Sequence, residues 1–189
     1  NQYKGEISLE PLKTMLAILG NPQDQLKFVH VAGTNGKGST LAYVSTVLKE
    51  AGYRVGRYIS PTIFSYRERI QVNESYISRE DLIRLTEKVK AAGDQLLAEG
   101  RQHPTMFEME TAIAFLYFAE QNCDLVVLEV GMGGRLDATN VIRNTKVAVL
   151  ASISMDHIRF LGNSLAEIAT VKSGILESPI PLKIQPIRL

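Results

Sequence analysis

The chain has 189 residues, 45% of them hydrophobic, which is enough to bury one sizeable core in a single domain. Its formal net charge is +1 with acids and bases interspersed, which gives no reason to invoke a nucleic-acid backbone or an anionic membrane as partner; any phosphate should be recognised locally. The lone Cys123 excludes an intrachain disulfide, no apolar run reaches the roughly 18 residues of a membrane span, and the start Asn1-Gln2-Tyr3-Lys4 lacks signal-peptide order, so a soluble, cytoplasmic monomer is expected.

From about Leu26 onward strand-like runs alternate with helix-like ones, which predicts an α/β fold: a mostly parallel sheet with helices on both faces. Leu26 to Val31 reads as a strand ending at a glycine-rich turn, and Leu41, Val44 and Leu48 mark one face of the helix that follows. Arg54 to Ile59 reads as a second strand, stopped by Ser60-Pro61. Ser78 with Asp81, and Thr105 with Glu108, are capping-box patterns ahead of two helices, the second running to about Gln121. Asp124 to Val130 is nearly continuously apolar, as a strand buried on both faces should be, and stops at Gly131-Met132-Gly133-Gly134. Val147 to Ile153 reads as another strand, and Ser164 with Glu167 opens a further helix. Residues 1–177 are read as one domain and 178–189 as an irregular tail, a truncation or altered terminus, because Pro179, Pro181 and Pro186 suit neither helix nor central strand.

The run His30-Val31-Ala32-Gly33-Thr34-Asn35-Gly36-Lys37-Gly38-Ser39-Thr40 follows a strand and opens a helix, where backbone N–H groups converge on an anion. Glycines at 33, 36 and 38 admit an oxygen close to the backbone, and Lys37 offers a point charge to β- and γ-phosphates. The strict G-x-x-x-x-G-K-[ST] pattern is not met: Val31 stands at its first glycine and Gly38 follows Lys37, so Ser39 or Thr40 would supply any loop hydroxyl to Mg²⁺, or the metal is held from elsewhere. An ordinary glycine-rich turn is the alternative.

Further segments extend the pattern: Tyr58-Ile59-Ser60-Pro61-Thr62, Arg67-Glu68-Arg69-Ile70-Gln71-Val72-Asn73, Thr105-Met106-Phe107-Glu108, Leu128 to Asn140, and Met155-Asp156-His157 ahead of Lys172-Ser173-Gly174-Ile175. Together with Ala32 to Ser39 they resemble, in order, the folylpolyglutamate synthase / dihydrofolate synthase family of the Mur-ligase superfamily, over about Glu6 to Ile175. That resemblance implies a P-loop NTPase-like central domain that binds ATP and Mg²⁺. A carboxy-terminal domain that helps bind ATP and glutamate in that family is absent here, so the fragment is expected to be inactive alone.

The resemblance also implies roles. Gly33 to Thr40 would bind ATP; Ser60, Glu129 and His157 would hold Mg²⁺; and Lys172, carbamylated by CO₂, would bind a second metal. Lys37, Lys172 and His157 would be the catalytic residues. Thr105, Phe107, Glu108, Leu136, Asp137 and Ala138 would lie beside folate, with Arg67 and Arg69 on a mobile loop over its acidic tail. Each has a plainer alternative. Glu129, a charge at the end of an apolar strand, could pair with Arg135 or Lys37 instead of a metal. Ser60 could cap a turn, His157 could be a packed or solvated histidine, and Lys172 could be a cation at a helix C-terminus. Thr105 and Glu108 could be a capping box alone, Gly131 to Asp137 a tight turn, and Arg67 and Arg69 a solvated charged loop. His30 and His103 are read as structural.

The expected activity is ATP-dependent addition of L-glutamate to a folate or dihydropteroate carboxylate through an acyl phosphate. The rivals are a Mur ligase acting on a UDP-sugar peptide, which typically carries Lys-Thr-Thr where Lys37-Gly38-Ser39 stands, and a non-catalytic nucleotide-binding module.

Overall fold

The computed structural model describes residues 8–155 and 161–176. Glu10–Ile18 (α1) leads into Phe28–Ala32 (β1), Lys37–Glu50 (α2) and Val55–Tyr58 (β2). Ile70–Val72 (β3), Ser75–Tyr76 (β4), Arg79–Ala98 (α3) and Met106–Glu120 (α4) follow. Leu125–Glu129 (β5), Thr145–Leu150 (β6) and Leu165–Ser173 (α5) complete the order.

The sheet runs β4-β3-β2-β5-β1-β6, with β2, β5, β1 and β6 parallel and β3 and β4 antiparallel at one edge. The expected α/β architecture is therefore present. β1 is buried along its whole length and β5 nearly so, because helices cover both faces. On one face, α1, α3 and α4 bury Leu12, Met15, Leu85, Phe115 and Phe118 against Phe28, Tyr58, Val126 and Leu128. Gly56 of β2 fits there only because it lacks a side chain: a Cβ would lie 2.8 Å from the Phe118 ring. On the other face, Leu41 of α2 packs on Val29, Val31, Val55 and Val127.

Two elements differ from the sequence reading. α1 precedes the point from which alternation was expected; its Leu12, Met15 and Leu16 are fully buried, so nine residues suffice to hold a helix that a short window does not reveal. The arginine segment expected as a loop runs into a hairpin: β3 and β4 pair Val72 with Ser75 across Asn73 and Glu74, both at positive φ, 48° and 68°. That is the backbone of a type I′ turn, made without the glycine that usually announces one. His157 and the tail at 178–189 lie outside the described residues.

Candidate active site

Parallel pairing sets the site. Val31 of β1 is in register with Glu129 of β5, so the loop after β1 and the carboxylate ending β5 emerge side by side at the carboxyl edge of the sheet, where open α/β sheets place ligands. Gly33 crosses Ala151 at a distance no side chain would allow, a Cβ there lying 2.8 Å from the Ala151 Cβ. Gly36, at φ 81°, turns the chain into α2. Serines and a threonine cap α3, α4 and α5, whereas no side chain caps α2, whose first-turn N–H groups keep their donor capacity for an anion.

Lys37 folds back over this loop and donates to the carbonyls of Gly33 and Thr34 at 3.1 and 3.2 Å. Lys172 is buried and donates to the same Gly33 carbonyl at 2.9 Å, bringing two ammonium groups to one oxygen. The loop is steadied from the far side. Thr34 Oγ1 donates to the Ser154 carbonyl and accepts from the Ser154 N–H, both at 3.1 Å, and Ser152 Oγ donates to the Asn35 carbonyl at 3.0 Å. Ser39 is exposed and Thr40 half-buried at the opening of α2.

Glu129 is only 5% exposed and accepts the Ser60 N–H at 3.0 Å on Oε2. Burial pushes its carboxyl above the usual range, opposed by the Ser60 N–H and by the charges of Lys37, Arg57 and Arg69. The ion pair with Lys37 is not formed, since that ammonium is turned to the loop carbonyls. Among the described residues no three histidine, cysteine, aspartate or glutamate side chains converge on one point.

The segments expected beside folate form the neighbouring wall. Thr105 and Glu108 make a complete capping box: the Thr105 N–H donates to Glu108 Oε2 at 2.6 Å and the Glu108 N–H to Thr105 Oγ1 at 3.3 Å. Phe107 lies against Tyr58 with ring centroids 6.2 Å apart, and its ring occupies the space a Cβ on Gly131 would need. Leu136 is exposed and Ala138 buried. Asp137 is buried too, with its oxygens taken by the Met132 and Thr139 N–H groups at 2.8 and 3.0 Å and by the Thr139 hydroxyl. Burial raises its carboxyl, against those hydrogen bonds. His30 joins this network at 2.8 Å through Thr139, and burial lowers its imidazole to about 3.

Over residues 31–183 the sequence matches the family described as the Mur ligase middle domain. The chain belongs to that family. This Mur ligase middle domain is 45% identical over 172 residues to a dihydrofolate synthase/folylpolyglutamate synthase of Bacillus subtilis, covering 90% of this chain and 40% of that protein. It superposes on the apo form of L. casei FPGS with a TM-score of 0.89 at 36% identity, covering 95% of this chain and 44% of the other. An FPGS complex with AMPPCP and folate matches at a TM-score of 0.89 and 37% identity, with the same coverages of 95% and 44%. The chain thus spans about two fifths of the length of the relatives it matches.

Arg67 and Arg69 of the Mur ligase domain are half-buried and each is tied to the fold by its guanidinium. Arg67 Nη1 donates to the Ile77 carbonyl at 3.0 Å, and Arg69 pairs with Glu110 at 3.3 Å with only 14% of its side chain exposed. Between them Glu68 gathers the N–H groups of Ile63, Phe64 and Ser65 at 2.9, 3.0 and 2.7 Å, which hold its carboxyl below the ordinary range. The sequence reading missed Ser152, Ser154 and Glu110. The serines carry no motif, but Glu110 had a signal: it is the one charge in the stretch Met109 to Phe118.

Proposed function

We propose that this chain forms the ATP-binding part of a ligase that adds L-glutamate to a folate or dihydropteroate carboxylate. The observation that carries the reading is the juxtaposition of the Lys37 loop with the buried Glu129 at the carboxyl ends of neighbouring parallel strands. Relatives named as dihydrofolate and folylpolyglutamate synthases, one solved with AMPPCP and folate, supply the substrate class.

The residues fit Mg²⁺. Glu129 Oε1 carries no hydrogen bond or ion pair among the described residues, and a buried carboxylate in that state is stabilised by a hard cation. Ser60 and Glu129 would hold the ion with His157 and with Ser39 or Thr40. When bound, Mg²⁺ supplies charge neutralisation to the phosphate oxygens. Lys37 leaves the loop carbonyls for the β- and γ-phosphates, and the uncapped N–H groups of α2 bind the same oxygens. An oxygen of the acceptor carboxylate bonds to the γ-phosphorus as ADP leaves, and the glutamate amine then attacks the acyl carbon, losing a proton as phosphate departs. No protein nucleophile is required.

Phe107 and Leu136 offer apolar surface to the pterin, with Thr105 and Glu108 at the helix start and Asp137 and Ala138 shaping the turn. Arg67 and Arg69 serve the acidic end of the substrate. The finer part of the reading is a carbamate on Lys172: two ammonium groups directed at the Gly33 carbonyl repel, and conversion of one to an anion removes that repulsion. Intact-mass measurement in bicarbonate buffer tests it, an unmodified Lys172 counting against. A cytoplasmic monomer with small-molecule partners, and neither nucleic acid nor membrane, completes the proposal; no helix among the described residues is long and apolar enough to cross a membrane.

An ADP-release assay on the full-length protein, with Mg-ATP, glutamate and either dihydropteroate or tetrahydrofolate, tests the function. Turnover dependent on both glutamate and pterin supports it. ADP release only with a UDP-sugar peptide, or none with any acceptor, refutes it.

A further inference from the structure

Glu110 lies in the second turn of α4, 7% exposed, within a helix whose following positions, Ala112 to Phe118, are all buried and carry no charge. Its carboxylate accepts the Tyr66 hydroxyl at 2.8 Å on Oε1 and faces Arg69 Nη1 at 3.3 Å on Oε2. The Arg69 guanidinium also lies 5.7 Å from the centre of the Tyr66 ring, so carboxylate, phenol and guanidinium form a closed clasp. The clasp ties the turn Tyr66–Arg69 to the helix that carries Phe107 one turn earlier. An ion pair buried in this way contributes little net stability compared with apolar packing, but it fixes a side chain in one orientation. Arg69 is the side chain fixed here: its carbonyl accepts the Ile59 N–H at 3.1 Å, one residue before Ser60, whose N–H binds Glu129, and its buried Nε has no partner among the described residues.

We propose that Glu110 is a positioning residue that acts through Arg69 and Tyr66, holding the Tyr66–Arg69 turn in the orientation that presents Arg69 to the anionic end of the acceptor substrate beside Glu129. This rests on the ligase reading above. Arg67, whose Nη1 donates to the Ile77 carbonyl, lies outside this clasp.

The test is a double-mutant cycle in the full-length protein with Glu110→Gln, Arg69→Gln and both together, reading KM for the pterin substrate, KM for ATP and kcat. Glu110→Gln is expected to raise the pterin KM about tenfold, the scale of one lost charge-assisted hydrogen bond, with the ATP KM within about twofold. In the Arg69→Gln background the same change is expected to add nothing. Tyr66→Phe, which keeps the ion pair and the fold, should give a smaller shift of the same kind, and Glu110→Asp a partial rescue. Additive effects in the cycle, or equal rises in both KM values, would overturn the positioning role while wild-type turnover leaves the ligase reading intact. Absence of wild-type turnover would sink the ligase reading instead. The cycle is then read as pterin Kd by calorimetry, where additivity, or no pterin binding, overturns the clasp as well.

Discussion

The two walls of the site are held in opposite ways. The Lys37 loop is held by backbone carbonyls and small hydroxyls, with Lys37 and Lys172 directed at the Gly33 oxygen and Thr34 at Ser154. The Ser65–Arg69 wall is held by charged side chains, Glu68 gathering three N–H groups and Glu110 holding Tyr66 and Arg69. Contacts of the first kind end on neutral oxygens, carbonyls and hydroxyls, so a phosphate can replace them by offering anionic oxygens to the same ammonium groups. Charged contacts of the second kind resist exchange and confer a fixed shape. On the proposed function, a nucleotide would be met by an adaptable cradle and its acceptor by a rigid wall.

The largest effect expected on this contrast is at the cradle. Lys37→Ala should lower kcat of the full-length protein by about 10²–10³-fold, as loss of one transition-state charge contact does, with pterin affinity within about twofold. Unchanged turnover would remove the cradle from catalysis. Gly131→Ala then probes the turn after β5, beside Glu129: its Cβ would lie 2.5 Å from Phe107 Cζ, and overpacking should cost about 1–3 kcal/mol in urea unfolding with a raised pterin KM. A stability near wild type would mean that Phe107 moves aside freely.

This difference also decides what was legible in the sequence. The cradle is a local strand, turn and helix, so Gly33, Gly36 and Lys37 announce it within a few residues. The mostly parallel sheet likewise followed from the alternation of strand-like and helix-like runs, and the burial of β5 from its continuous apolar run. What steadies the cradle was hidden, because Thr34 and Ser154 stand 120 residues apart and a serine carries no periodic signal. The rigid wall was hidden for the same reason, since Tyr66 and Glu110 stand 44 residues apart and Asn73-Glu74 form a hairpin without glycine. Thr105 and Glu108 were legible as a capping box and are one; Asp137, expected beside the substrate, spends its oxygens on its own turn.

Two smaller effects sharpen the comparison. His30 lies under the cradle, its imidazole lowered from 6.5 to about 3 by burial, so the unfolded chain takes up a proton below pH 6.5 that the folded one does not. Stability is fully present above that pH and should fall by about 1.4 kcal/mol per pH unit between 6.5 and 3 on this account. His30→Gln should flatten that limb in urea titrations; an unchanged slope would assign it to other groups. Thr105→Ala should cost about 1 kcal/mol through loss of the helix cap, recovered by Thr105→Ser, while the pterin KM moves less than about threefold. A larger KM change would make the hydroxyl a ligand contact.

The central claim is that the Lys37 turn and Glu129 serve one Mg-nucleotide pocket, and calorimetric ATP affinity with and without Mg²⁺, in wild type and Glu129→Gln, tests it most directly. Wild type is expected to bind ATP more tightly with Mg²⁺, and the variant to lose that gain while keeping the metal-free affinity. A Mg²⁺ gain undiminished in the variant would contradict the shared pocket.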